Sequence, residues 1–343
     1  ATSYWAIRPY PDLVDLSKIE ADGGKWIRLD DGRIVEYFVS GSSSSDAKIM
    51  VDCPGGNCTG HMFPAFSSWT EAAKKLNYKV ISVSYPGFGY SSIQPGRRLK
   101  DWPVTDLLPI LQKENVQEFF ATGLSFGTPH ALAAAWTFAN TKEHNNFGIT
   151  CLGLGLRVPY MGSQSCETLG LKNHFDLAYT STAANTSFLG YITAKIFTAF
   201  AAKPGDAFKA PGPFMKAFVN LLNPGALDKL ERLMDNHTEM MNTLKEDMER
   251  CVVHSDQGIL YNYATDTLVD HGYDVTEIKP DIPICVWYAE DDEDSDGNAQ
   301  DMQTGGEGRI AFFTSIFESA QAAFFTGKDA PVARLQNPKS VAD

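Results

Sequence analysis

The run Phe120-Ala121-Thr122-Gly123-Leu124-Ser125-Phe126-Gly127 constrains this chain more than any other stretch. An apolar, strand-like segment breaks into Gly-x-Ser-x-Gly, and Pro129 to Trp136 follows with strong helix formers and small residues. A strand that becomes a helix within so few residues needs glycine on both sides of the serine. The glycines let the backbone turn sharply and let strand and helix pack closely. In that geometry Ser125 stands above the sheet edge as a candidate nucleophile, and the Phe126 N–H points to where an oxyanion forms. The same spacing also suits a glycine-rich turn without chemistry, so the surrounding chain decides.

That surrounding chain alternates. Trp26–Leu29 and Ile34–Val39 flank Asp30-Asp31-Gly32-Arg33, a hairpin signal. Lys48–Cys53 reads as a buried strand ending in Pro54-Gly55-Gly56-Asn57. Trp69–Leu76 reads as a helix and Tyr78–Ser84 as the next strand, which runs into Tyr85-Pro86-Gly87-Phe88-Gly89-Tyr90-Ser91. Val104–Gln112 reads as a helix, Ile149–Leu156 as a strand and Ile282–Tyr288 as another. Residues 1–21 read as irregular, and Ile310–Phe325 as a closing helix. Strands alternating with helices at this spacing predict an α/β fold with a doubly wound, mostly parallel sheet. Ligands of such sheets bind beyond the carboxyl ends of the strands, where the Gly56, Gly87 and Ser125 loops lie.

The alternation stops at Arg157. Residues 160–250 are predicted to be helical and loop-like, with Phe188–Ala202, Pro213–Leu222 and Leu227–Met248 as the helices. The expected organisation is an N-terminal extension over 1–24, a core over 25–159 and 251–343, and a helical lid over 160–250 inserted after the nucleophile half. At 343 residues the chain is long enough for one large α/β domain with such an insertion. With 42 acidic against 29 basic residues the net charge is -13, which argues against nucleic acid as a partner. No run of roughly 18 or more apolar residues suggests a membrane span. The first residues, Ala1-Thr2-Ser3, read as a processed or trimmed end, and the compartment expected is cytoplasm or an organelle lumen rather than the exterior. The six cysteines lack paired zinc spacing, so free thiols and no metal or cofactor are expected.

Four stretches together resemble the α/β-hydrolase-fold superfamily, in its lidded, proline-iminopeptidase-like and esterase-like form. They are Pro54-Gly55-Gly56, Tyr85 to Ser91, Gly123 to Gly127, and His271-Gly272-Tyr273-Asp274 through Glu290-Asp291-Asp292. Their order matches the family's. The resemblance implies a Ser, acid, His triad in chain order. It places Ser125 first and Asp292 second, with Asp291 or Asp294 one small register slip away. It implies oxyanion donors at Phe126 and at Gly56 or Asn57, and a small ester or amide, or an apolar ligand, held under the lid.

The third triad place departs from the family. Where the resemblance puts histidine, this chain has Gly305-Gly306-Glu307-Gly308-Arg309, and no histidine follows His271. Arginine stays protonated and cannot accept the Ser125 proton. His61, just past the oxyanion turn, is the candidate substitute base. His130 is expected to point away from Ser125, and His254 and His271 to be structural. Two readings therefore stand. One is a serine hydrolase of an ester or amide, impaired or atypical because its base is missing. The other is a catalytically silent binding protein, or a subunit of a larger assembly.

Overall fold

The computed structural model describes residues 16–56, 58–94, 97–124, 126–140, 147–155, 238–251, 253, 271–279, 281–289, 321–325 and 334–336. Its strands are β1 (Lys25–Arg28), β2 (Ile34–Gly41), β3 (Lys48–Cys53), β4 (Tyr78–Val83), β5 (Glu118–Leu124), β6 (Gly148–Gly155), β7 (Ile284–Ala289), β8 (Gln321–Phe325) and β9 (Arg334–Gln336). They form one sheet in the order β1-β2-β4-β3-β5-β6-β7-β8-β9. The β1–β2 hairpin and the β2–β4 pair are antiparallel, β4 through β8 run parallel, and β9 closes the far edge antiparallel. Parallel neighbours need crossovers, and among the described residues helices supply those from β3 to β4, β4 to β5 and β5 to β6.

Side-chain alternation divides the core in two. From β3 and β5, Val51, Cys53 and Ala121 enter the main cluster, together with residues of α4 (Leu108–Lys113) and α5 (Gly127–Asn140). Met50, Tyr78 and Val80 face the other way, with Phe63 of α2 (Met62–Ala65) and Ala73 of α3 (Ser67–Lys75). A further helix, α6 (Thr238–Cys251), also contacts α2. Among the described residues no helix is long and apolar enough to cross a membrane.

Three sequence expectations are corrected. Residues 16–21, read as irregular, form helix α1 (Leu16–Ala21), whose Ile19 is fully buried. Residues 321–325, read as the end of a helix, are β8, paired in parallel from Cys285↔Gln321 to Ala289↔Phe325; pairing with β7 overrides the helix propensity of the alanines. The helix expected over 104–112 is two pieces, a π-helical turn at Pro103–Leu107 followed by α4. There the Leu108 N–H donates to the Pro103 carbonyl five residues back, and Pro109 has no N–H to continue the ordinary ladder.

Of the expected lid, residues 160–237 lie outside the described residues. Helix α6 starts within the expected lid and ends at Cys251, so the boundary drawn at 250 falls inside a helix.

Candidate active site

Three glycines bring the ends of β3 and β5 together. A methyl carbon on Gly127 would overlap the Cys53 and Pro54 carbonyl oxygens. One on Gly123 would stand 2.6 Å from the Gly127 carbonyl carbon and 2.8 Å from Thr128 Cα. One on Gly56 would strike the Phe126 ring, 3.0 Å from Cε2. Contacts under 3.0 Å to backbone cannot be relieved by a rotamer change, so β5, the turn and α5 can close against the β3 turn only with glycine at 123 and 127.

An aromatic bracket beneath the turn holds both segments. The Tyr85 hydroxyl, at the start of the loop after β4, donates to the Pro54 carbonyl at 2.9 Å. The Tyr85 ring stacks on His130 of α5 at 3.7 Å between centroids, and Trp102 meets the same imidazole edge-on at 5.2 Å. His130 Nδ1 lies 3.0 Å from the Phe126 carbonyl, which can only accept, so Nδ1 carries the proton. Burial, the largest cause, together with the Arg97 charge, holds the His130 pKa well below the usual histidine range. This imidazole is neutral and structural. The Tyr273 hydroxyl donates to the Pro129 carbonyl at 2.6 Å and so docks the His271–Asp274 stretch on the start of α5. His271 is fully buried.

On the other side, the loop after the β3 turn is tied to α6. Fully buried Asp247 accepts from the Thr59 N–H at 2.7 Å and from the Thr59 hydroxyl. Burial pushes the Asp247 pKa up to about 7, against the two Thr59 hydrogen bonds and the Arg250 charge. His61 Nδ1 lies 3.8 Å from Asp247 Oδ1, longer than a hydrogen bond, and the ring packs edge-on against Phe38 of β2 at 5.3 Å. Burial and then the Arg250 charge lower the His61 pKa, favouring the neutral imidazole. One turn further along α6, Arg250 pairs with fully buried Glu36 of β2 and with Asp22. Glu36 also accepts from Ser84 Oγ at 2.7 Å, and Ser84 Oγ in turn accepts from the Gly60 N–H at 3.0 Å. The loop from Thr59 to His61 is therefore fastened to both β4 and α6.

Neither a protein-family model nor a curated protein matches this sequence. Solved structures do match its three-dimensional form. An esterase from Exiguobacterium antarcticum is 15% identical with a TM-score of 0.52, over 88% of this chain and 90% of that one. A juvenile hormone epoxide hydrolase from the silkworm Bombyx mori is 13% identical with a TM-score of 0.55, over 94% and 74%. An enol-lactonase from Burkholderia xenovorans is 11% identical with a TM-score of 0.52, over 88% and 90%. The chain has the α/β-hydrolase fold.

In an α/β-hydrolase fold the strand before the serine and the turn after β3 converge at the carboxyl edge of the sheet. Here β5 and β3 do so, paired from Met50↔Phe120 to Cys53↔Gly123. Of the residues singled out from sequence, Gly56, Phe126 and His61 are described, and Gly56 and Phe126 are in contact range. Ser125, Asn57, Asp291, Asp292, Asp294 and Arg309 lie outside the described residues. Thr59, Tyr85 and Asp247, which shape the neighbourhood of the turn, were not singled out. For Asp247 a signal existed. Leu244, Asp247, Met248 and Cys251 share one helical face, so a carboxylate sits within an otherwise apolar stripe.

Proposed function

We propose that this protein is a serine hydrolase of a carboxylic ester or amide, with Ser125 as nucleophile. The observation that carries the reading is the mutual exclusion of side chains at Gly56, Gly123 and Gly127. It holds the β3 turn against the Phe126-Gly127 corner, as an oxyanion site between Phe126 and Gly56 or Asn57 requires. In the first step Ser125 Oγ bonds to the carbonyl carbon, its proton passes to a base, and the carbonyl oxygen takes negative charge facing those N–H groups. The alcohol or amine then leaves with that proton. Water repeats the sequence on the acyl-serine and frees the acid.

His61 is the base that the described residues offer. It is partly exposed, its neutral form is favoured and it stands beside the Asp247 carboxyl group, whereas His130 and His271 are fully buried. Its pairing with Asp247 would tighten from 3.8 Å when substrate closes the site. In this reading Asp292 keeps the acid's place that the resemblance implies, and Arg309, at the histidine's place, takes no proton from Ser125. Residues 160–250 form the lid over an apolar ligand.

A fluorophosphonate probe tests the proposal on wild type, Ser125→Ala and His61→Ala. Labelling of wild type, none of Ser125→Ala, and labelling of His61→Ala slowed by about 100-fold or more are expected. The second reading, a silent binding protein or assembly subunit, is favoured by Arg309. A folded wild type that takes no label would establish it over the first.

A further inference from the structure

Asp52 occupies an unusual place for a carboxylate. On β3 its neighbours Val51 and Cys53 are fully buried toward α5, which leaves Asp52 on the α2 and α3 face with Met50. There it forms part of the wall of a cavity of about 290 Å³. Among the described residues the side chains of Met50, Met62, Phe63, Trp69, Thr122 and Leu124 line the rest of it. The carboxyl accepts one hydrogen bond, from Ser82 Oγ at 2.6 Å, and among the described residues no cation is paired with it. Its enclosure raises the pKa to about 6, against the lowering by Ser82. At pH 7 and above the protein therefore holds an anion in an apolar recess. That arrangement is costly unless a positive group completes it.

The recess also has the complement an organic cation needs. Phe63 and Trp69 pack at 5.5 Å, and Phe66 extends the aromatic group at 4.5 Å from Trp69. Aromatic faces attract cations, and methionines adapt to varied apolar shapes. A cavity of about 150 Å³ accommodates benzene, so this one has room for an arylalkyl group.

We propose that this recess binds a small organic ammonium ion, with its nitrogen on Asp52 and its apolar part among Met50, Met62, Phe63 and Trp69. Pro54-Gly55 and Gly123-Leu124 also border it, so the bound cation lies beside the segments that lead into the oxyanion turn and Ser125. The inference stands on the cavity and its carboxylate, and Ser125 labelling neither supports nor weakens it. Among the described residues, the ionisable groups that interact with Asp52 are the Cys53 and Cys58 thiols, which burial holds well above their usual range. Neither changes charge between pH 5 and 8. Asp247 acts on Cys58 rather than on Asp52.

Calorimetry with phenethylammonium and its neutral counterpart 2-phenylethanol tests this on wild type and Asp52→Asn. In wild type at pH 8 the ammonium should bind about tenfold more tightly than the alcohol or better, since a charge-assisted bond replaces a neutral one. That preference should shrink at pH 5, where Asp52 is protonated, and vanish in Asp52→Asn while the alcohol still binds. Equal affinity for the two probes at pH 8, or no binding of either, would overturn the proposal. So would a preference that survives in folded Asp52→Asn. Should Asp52→Asn not fold, wild type alone decides, because a preference unchanged between pH 5 and pH 8 excludes Asp52 as its source.

Discussion

Replacing Asp247 by asparagine should flatten the pH dependence of stability. Wild-type Asp247 keeps its proton up to about pH 7 in the folded protein, whereas the unfolded chain releases it near the ordinary value of 3.8. Between those values folding takes up a proton, so the folded state binds more protons than the unfolded one and stability falls as pH rises. A separation of about 3 pH units corresponds to roughly 4 kcal/mol, complete by about pH 7 to 8. Asparagine is nearly isosteric with aspartic acid. Its carbonyl can accept from the Thr59 N–H and its amide can donate to the Thr59 hydroxyl, so both links of α6 to the loop survive. Every other titrating group is common to the two proteins and cancels in their difference. Urea midpoints at pH 4, 5, 6, 7 and 8 should show wild type equal or superior at pH 4 and Asp247→Asn gaining steadily to pH 8. Attraction to Arg250 is already contained in the folded value of about 7, so the gain expected at pH 8 stays at roughly 3–4 kcal/mol. Parallel curves, with wild type ahead by a constant margin at every pH, would refute the reasoning.

Two further substitutions address the scaffold. Gly127→Ala drives a methyl group into the Cys53 carbonyl and should cost about 3 kcal/mol or more, read as a lower Tm and loss of Ser125 labelling. Arg250→Gln leaves fully buried Glu36 without its cation. It should cost about 3–5 kcal/mol at pH 7, and the double variant with Glu36→Gln should recover part of that in chemical denaturation.

The parallel part of the sheet was legible because its strands are short apolar runs closed by glycine turns, and a parallel strand is buried on both faces. Gly123 and Gly127 were legible for a related reason, since a strand–helix corner this tight excludes a Cβ. Residues 321–325 misled because alanines favour helix, and only the partner β7, more than thirty residues earlier, makes them a strand. The Thr59–Asp247 bond spans 188 residues. Nothing local to Thr59 announces it, and only the position of Asp247 on an apolar helix face hints at a buried role. Tyr85 belonged to a recognisable loop, yet the use of its hydroxyl on the Pro54 carbonyl depends on how that loop folds back over β3.

The same long-range links bear on how the protein is made. Ribosomes release the chain from the N-terminus at about 5–20 residues per second. Strands β1 to β6 and the Gly-x-Ser-x-Gly corner are therefore complete long before α6 emerges. Thr59 and Glu36 lack their partners Asp247 and Arg250 for the roughly 10–40 s that the intervening residues take to synthesise. During that interval a nascent chain that closed the sheet would bury Glu36 without its counter-charge, which penalises early closure. Closure of β2 around Glu36 is thereby disfavoured until α6 is present, and a fragment truncated before Thr238 should be cleaved by protease faster than the full chain.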